Sequence, residues 1–241
     1  MRVRSGVHNI NVKQGTQVTV TPDAIGNLVA EPQTFIWTGF TNVCHFVFSK
    51  DAGVYIQHVD GSLYTEEEWS ASAYANNDAN GVAVLSSDAV FVIAKQDVLN
   101  SQTKWGVSLL VNDIMTTSIE TEAILDYDGI SNTLKSIEQL KEITNSTGIK
   151  GAIAAKACSE FTFPNGKKGY LPALGEWLAV FNNKNAISSA ISLIGGNSFI
   201  EYYWSSTQVS SDKQWEIRIT SGKPYTEYKN NNSYLRAFTT L

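Results

Sequence analysis

Tyrosine, asparagine and serine are concentrated near the C-terminus, where residues 223–234 read KPYTEYKNNNSY. A tyrosine side chain offers a large, rigid contact area at small entropic cost, while asparagine and serine adapt their hydrogen bonds to a partner. This mixture indicates a contact surface for another molecule. The same composition also suits an ordinary polar sheet edge, and composition alone does not separate the two.

The segment QWEIRIT, residues 214–220, alternates between apolar and polar side chains. Trp215 and Ile217 should therefore face the core, and Glu216 and Arg218 the opposite, open side. The other predicted contact residues have loop positions or Tyr, Asn and Ser character. The predicted ligand-binding set is Tyr202, Gln208, Ser210, Ser211, Asp212, Glu216, Arg218, Tyr225, Glu227, Tyr228, Asn230, Asn231, Asn232, Ser233 and Tyr234.

Metal and cofactor binding have weaker signals. Residues 76–81 have the Asn-x-Asp-x-Asn-Gly spacing of a calcium loop, but Ser87 stands where a bidentate glutamate is needed, which favours an ordinary turn. Cys44 and Cys158 are too few and too far apart for a disulfide framework or a paired metal motif, so both are predicted to be buried free thiols. We expect no metal and no cofactor.

Catalysis has no recognisable motif either. His8, His45 and His58 all lie in the first quarter of the chain, and the sequence contains no Gly-x-Ser-x-Gly, His-Glu-x-x-His or phosphate-binding glycine loop. We expect a protein that is not an enzyme, with a hydrolase site built from Asp or Glu as the open alternative.

Composition and charge restrict the partners. Apolar residues make up 43% and charged residues 17%, a balance typical of a globular protein. The net charge of -5 comes without any basic run, so nucleic acid is not an expected partner. No stretch approaches 18 uninterrupted apolar residues and no apolar signal region is visible at the N-terminus, so membrane insertion is not expected.

Strand patterns mark both ends of the chain. VHNINV, TQVTVTP and CHFVFS predict a small β-rich region over residues 1–48. Asp60-Gly61 predicts a tight hairpin over 54–64, and Ser86-Ser87-Asp88 lies between the two strands of a second hairpin. The runs YYWSST, QWEIRIT, KPYTEY and YLRAFTT predict a C-terminal antiparallel meander.

Helices are predicted between these strands. Thr65 and Glu68 have capping-box spacing, which predicts a short helix from there. Asn132 or Thr133 should cap a later helix, and further helices are expected in GAIAAKACSEF and near 173–182 and 184–194. The helix after Thr133 is expected to bury one apolar stripe, made of Leu134, Ile137, Leu140 and Ile143.

Several residues near these elements have structural rather than functional character. The tryptophans 177, 204 and 215 stand beside apolar residues and are predicted to pack in the core rather than to stack on a sugar. Glu176 and Arg236 are expected to satisfy buried hydrogen bonds, and Asp126 and Asp128 to serve as turn and capping residues.

Four motifs in fixed order carry a family resemblance: GYLPALGEW at 169–177, YWSST at 203–207, Trp215, and LRAF at 235–238. Together they resemble C-type-lectin-fold proteins of gut bacteria and phages, which include the variable proteins of diversity-generating retroelements. The resemblance covers roughly residues 50–241 and implies that adenine-directed mutagenesis rewrites a C-terminal stretch rich in asparagine codons. The related formylglycine-generating enzymes use two C-terminal cysteines, but no cysteine follows Cys158, which argues against that chemistry here.

The sequence therefore predicts an α+β protein with a β-rich region at 1–48 and a C-type-lectin-like domain at 49–241, in which residues 201–236 vary. The expected function is binding of an exposed protein or glycan on a host or neighbouring cell, at a phage tail or bacterial surface, with a homotrimer as one possible assembly. An enzyme related to the sulfatase-modifying fold and a structural, fimbria-associated surface subunit are the alternatives.

Overall fold

A computed structural model describes residues 2–3, 12–22, 30–39 and 50–241. In the N-terminal part, β1 (Arg2–Val3), β2 (Gln17–Pro22) and β3 (Gln33–Ile36) form a three-stranded sheet. Strand β2 pairs with β1 in parallel and with β3 in antiparallel orientation, which confirms a strand at TQVTVTP. The strands predicted at VHNINV and CHFVFS, together with His8, Cys44 and His45, lie outside the described residues.

A five-stranded antiparallel sheet forms the centre of residues 50–241. Its order is β13-β7-β6-β4-β5. The strands are β4 (Gly53–His58), β5 (Leu63–Tyr64), β6 (Ala79–Leu85), β7 (Val90–Ile93) and β13 (Phe238–Thr239). Both predicted hairpins, β4–β5 and β6–β7, are confirmed.

This sheet is buried on both faces because both of its faces carry apolar side chains. Val82 and Val84 belong to one apolar core, whereas Ala83 belongs to a second core. Helices α5 (Leu174–Asn182) and α6 (Lys184–Leu193) contribute to the first core, and α4 (Ile153–Glu160) contributes to the second. All three lie at their predicted positions, and the α+β class follows from this mixture of helices and strands.

The short helix α1 (Glu66–Ala71) begins as predicted. Glu68 N donates to Thr65 Oγ1 at 3.1 Å, and Thr65 N donates to Glu68 Oε2 at 2.7 Å, which completes the capping box. Helix α2 (Glu120–Ala123) was not predicted from the sequence. No helix in the described part of the chain has the length and apolar character needed to span a membrane.

Helix α3 (Gly129–Leu140) differs from its prediction. It begins at Gly129, because Asp128 accepts from Ser131 N at 3.2 Å, which confirms the capping role predicted for Asp128. The prediction of a cap at Asn132 or Thr133 is wrong, since both lie inside the helix. The predicted apolar stripe is wrong: Leu140 is buried, but Leu134 is 61% exposed and Ile143 lies beyond the helix. Each residue turns the helix by about 100°, so residues spaced by three drift around it by about 60° per step and do not share one face.

The C-terminal strands also depart from a simple meander. Strands β9 (Tyr202–Gln208), β10 (Lys213–Arg218) and β11 (Lys223–Tyr228) form an antiparallel sheet of order β11-β10-β9. The chain then leaves this sheet: β12 (Asn232–Ser233) pairs with β8 (Thr103–Lys104), and β13 joins the five-stranded sheet. The reason is apolar burial, since Leu235 and Phe238 are each fully buried in one of the two cores.

Candidate binding cleft

The β9–β10–β11 sheet separates a core face from a polar face. Trp215 and Ile217 are buried in the first core, as the alternation predicted. Glu216 lies on the opposite face, in register with Trp204 on β9 and Tyr225 on β11. The parity assignment of Glu216 is therefore correct, but part of that face is covered.

The covering segment is the chain after β11, which returns along the free edge of β9. Tyr234 N donates to Tyr202 O and Trp204 N donates to Tyr234 O, both at 3.1 Å. Trp204 is fully buried, and its indole Nε1 donates to Thr103 O at 2.8 Å. The predictions that Trp177, Trp204 and Trp215 pack in the core are confirmed.

Three predicted contact residues are buried instead of exposed. Gln208 is fully buried because its side-chain amide bonds both backbone groups of Val111, at 3.1 and 3.2 Å, and Thr116 Oγ1, at 2.8 Å. Glu216 is 5% exposed and Ser233 2% exposed, because the returning segment places Ser233 Oγ 2.5 Å from Glu216 Oε2. The prediction of outward-facing side chains is wrong for these three.

A cleft of about 250 Å³ opens on the polar face beside Asn232 and Ser233 of the covering segment. Its wall contains the rings of Tyr202 and Tyr225, which meet edge to face with centroids 5.8 Å apart. Glu216 lies in the cleft, and its Oε1 has no hydrogen-bond partner among the described residues. The lining residues are Gln102, Tyr202, Glu216, Tyr225, Thr226, Glu227, Asn232 and Ser233.

The electrostatics of the cleft are set by burial and by charge repulsion. The pKa of Glu216 is raised to about 7, chiefly by burial; the hydrogen bond from Ser233 lowers it, and the nearby Glu227 carboxylate acts in the same direction as burial. Arg218, at the rim, is held by an ion pair with Glu201 and lies 5.6 Å from the Tyr202 ring centroid. Lys223 Nζ lies 5.3 Å from the Tyr225 ring centroid.

A second group of predicted residues lies at the other end of the same sheet. The turn that contains Ser210, Ser211 and Asp212 is joined to the turn after β11 by a 2.9 Å bond from Lys229 N to Asp212 O. Tyr228 is 47% exposed, with Lys213 Nζ 4.7 Å from its ring centroid. The exposed members of the predicted set at this end are Ser211, Asp212, Tyr228, Asn230 and Asn231.

Two neighbours of these residues were missed by sequence reasoning. Gln102 reaches the cleft from a segment one hundred residues earlier, and the sequence contains no signal for that approach. Lys229 stands between tyrosine and asparagines and looks like a solvated turn residue, yet it is fully buried. Its Nζ donates to Leu109 O at 2.7 Å and to Gln208 Oε1 at 2.9 Å, and burial lowers its pKa to about 7.

The buried acidic groups elsewhere are bound within the protein. Glu176 accepts from Tyr170 Oη at 2.6 Å and from Ala173 N at 2.7 Å, and Asp126 Oδ2 accepts from Thr207 Oγ1 at 2.8 Å. Arg236 is fully buried and pairs with Asp97 at 2.7 Å, which confirms the structural role predicted for Glu176 and Arg236. The described residues contain no cluster of three His, Cys, Asp or Glu side chains able to hold a metal ion.

Comparisons with known proteins give a fold relationship. No protein-family model and no curated protein matches the chain. Among solved structures, a fimbrial protein from Bacteroides ovatus has a similar fold, with a TM-score of 0.54 and 13% identity over 96% of this chain. The chain spans 63% of that protein's length. At this identity the likeness concerns the fold alone.

Proposed function

We propose that this chain is a non-enzymatic surface protein of fimbrial type that recognises a partner molecule through the polar face of the β9–β10–β11 sheet. The observation that carries the proposal is the cleft whose wall holds the contacting rings of Tyr202 and Tyr225. Glu216 also lines it, and among the described residues the Glu216 Oε1 atom has no hydrogen-bond partner. A concave site with aromatic side chains and a few convergent polar groups is typical of ligand recognition.

The scaffold under this face supports a binding role because it is rigid. Trp204 and Trp215 anchor β9 and β10 through indole bonds to Thr103 O and Thr117 O, at 2.8 and 2.9 Å. Side chains on such a support lose little conformational entropy when a partner binds, which favours affinity. Tyrosine anchors surrounded by adaptable amides are common in recognition surfaces.

The fimbrial setting comes from the fold comparison. A protein of similar fold from Bacteroides ovatus is described as fimbrial, so a bacterial surface is the proposed location. The same comparison favours a second candidate function, a structural subunit of a surface fibre whose polar face contacts another subunit. The phage-tail location and the homotrimer stay predictions from the sequence.

Diversification of the C-terminal face is part of the proposal and has a physical requirement. Substitutions are tolerated where side chains are exposed, as at Tyr228, Asn230 and Asn231, and not where they are buried, as at Gln208 and Lys229. A near-repeat of the 3′ coding end that differs at adenines, beside a reverse-transcriptase gene, is the expected genomic arrangement. Its absence from the genome would remove diversification from the proposal.

The experiment that tests recognition combines Tyr202→Ala and Tyr225→Ala in the strain that carries the gene. We expect attachment to epithelial and bacterial cells to fall at least about tenfold, with an unchanged amount of protein on the surface. Tyr74→Ala is the matched control, because Tyr74 is a 39% exposed tyrosine outside this sheet. Undiminished attachment would refute recognition by this face, and a loss of surface fibres would favour the structural subunit.

A further inference from the structure

The charge of the cleft differs from that of its surroundings. Glu216 and Glu227 both line it, and none of the described residues that line it is basic. The cations beside it are not lining residues: Arg218, paired with Glu201, lies 5.6 Å from the Tyr202 ring centroid, and Lys223 Nζ lies 5.3 Å from the Tyr225 ring centroid. Lys104 is in register with the lining residue Asn232. The cleft is therefore an acidic depression with two aromatic rings in its wall.

Glu216 is the buried carboxylate among the residues that line this depression. Only 5% of the residue is exposed. Ser233 Oγ donates to Oε2, and among the described residues Oε1 has no hydrogen-bond partner. A buried carboxylate without a compensating charge is costly, and a cation that reaches it offsets that cost.

The volume limits the occupant to a small group. A cleft of about 250 Å³ is below the range of about 300 to 1,000 Å³ typical for sites of drug-sized ligands. A single side chain with a charged end and an apolar stem fits the combination of size, carboxylates and rings. Gln102 and Asn232 add amide groups at the edge of the cleft.

We infer that the cleft accepts the positively charged side chain of an arginine or lysine presented by a partner protein. This inference rests on the proposed function and names its partner chemistry. The guanidinium or ammonium group pairs with Glu216 Oε1, and its methylene stem lies against Tyr202 and Tyr225. Glu227 provides the second negative charge.

Such binding depends on pH through Glu216. A cation binds the ionised carboxylate, so affinity rises as pH increases past the Glu216 pKa of about 7. Ionisation increases about tenfold between pH 6 and pH 8, and affinity should increase by about the same factor. The charged or titratable residues on the strands around Glu216 are Lys104, Tyr202, Tyr203, Lys213, Arg218, Lys223, Tyr225, Glu227 and Tyr228, with Glu201 just before β9.

The test is a nuclear magnetic resonance titration of the full chain with Nα-acetyl-arginine amide and Nα-acetyl-lysine amide. Nα-acetyl-citrulline amide serves as the neutral isostere. We expect the cationic probes to shift the backbone amide signals of Tyr202, Glu216, Tyr225 and Ser233. Their affinity from this titration should be about tenfold higher at pH 8 than at pH 6. Citrulline amide should leave these signals unchanged.

Glu216→Gln removes the charge while it keeps the shape, and it should weaken arginine binding at pH 8 about tenfold or more and abolish the pH dependence. Glu138→Gln, at an exposed position on α3, is the matched control and should bind as the wild type does. Should Glu216→Gln fail to fold, Glu227→Gln on the more accessible strand β11 replaces it, with a weaker response to arginine as the expected result.

Equal binding of citrulline and arginine amides would overturn the inference. So would pH-independent shifts of the same signals by methyl glycosides, which would indicate a glycan site. Loss of attachment in the Tyr202/Tyr225 double variant without any response to arginine or lysine would overturn this inference alone. A response to arginine with undiminished attachment would overturn the proposed function instead.

Discussion

Replacement of the buried Lys229 by methionine should change how the stability of this protein depends on pH. The ammonium group is fully buried, its two hydrogen-bond acceptors are uncharged, and its pKa falls from 10.5 to about 7 because of burial. A lysine with a lowered folded-state pKa binds fewer protons in the folded than in the unfolded protein. The free energy of unfolding therefore rises with pH between about 7 and 10.5.

The magnitude follows from those two pKa values. A tenfold change in proton affinity corresponds to about 1.4 kcal/mol, so the wild type should gain about 3 kcal/mol from Lys229 between pH 6 and pH 9.5. Lys229→Met removes this contribution and keeps a similar volume. Gln208 Oε1 retains a bond from Val111 N at 3.1 Å in the variant, so no new unsatisfied side-chain oxygen is created there.

The assay is urea unfolding followed by tryptophan fluorescence at several pH values. The wild type and Lys229→Met should differ in unfolding free energy by an amount that changes by about 3 kcal/mol across this range, with the variant relatively more stable at acidic pH. Lys141→Met, at an exposed lysine, should show a constant difference from the wild type. A difference for Lys229→Met that is also constant with pH would refute the reasoning.

Three further substitutions test the scaffold by the same unfolding assay. Arg236→Gln leaves the buried Asp97 without its ion-pair partner, so it should lower the free energy of unfolding by about 3 to 5 kcal/mol. A loss smaller than about 1 kcal/mol would contradict a buried ion pair at this position. Gly222→Ala should lower the free energy of unfolding by about 2 kcal/mol or more, because φ is +67° and an added Cβ would lie 2.3 Å from the Phe181 ring. A variant as stable as the wild type would refute that contact. Thr65→Ala should cost about 1 kcal/mol through loss of the capping box, whereas an unchanged midpoint would mean that the cap is not formed.

Local signals in the sequence predicted local structure well. The capping box at Thr65, the Asp60-Gly61 hairpin and the buried tryptophans depend on residues close to one another in the chain or on strong apolar character, and all were confirmed. The α3 stripe failed for a geometric reason, because a three-residue repeat drifts around a helix. Its early start at Asp128 depends on a single capping bond.

The candidate site could be predicted only in part because long-range contacts decide it. Strand parity placed Glu216 on the correct face, but the sequence does not show that residues 232–236 return along β9 and bury it. The burial of Gln208 and Lys229 could not be predicted for the same reason, since their hydrogen-bond partners lie near residues 109–116. Tyr202 and Tyr225 were predicted from their residue type, and the contact between their rings in the cleft wall was visible only in the structure.

Direct binding of the purified protein to cells tests the central proposal most directly. Fluorescently labelled wild type and Tyr202→Ala/Tyr225→Ala protein, matched for melting temperature, would be titrated onto epithelial and bacterial cells and counted by flow cytometry. Recognition through the cleft predicts saturable binding of the wild type and an affinity at least about tenfold lower for the double variant. Equal saturable binding of the two proteins, or no binding of either, would contradict it.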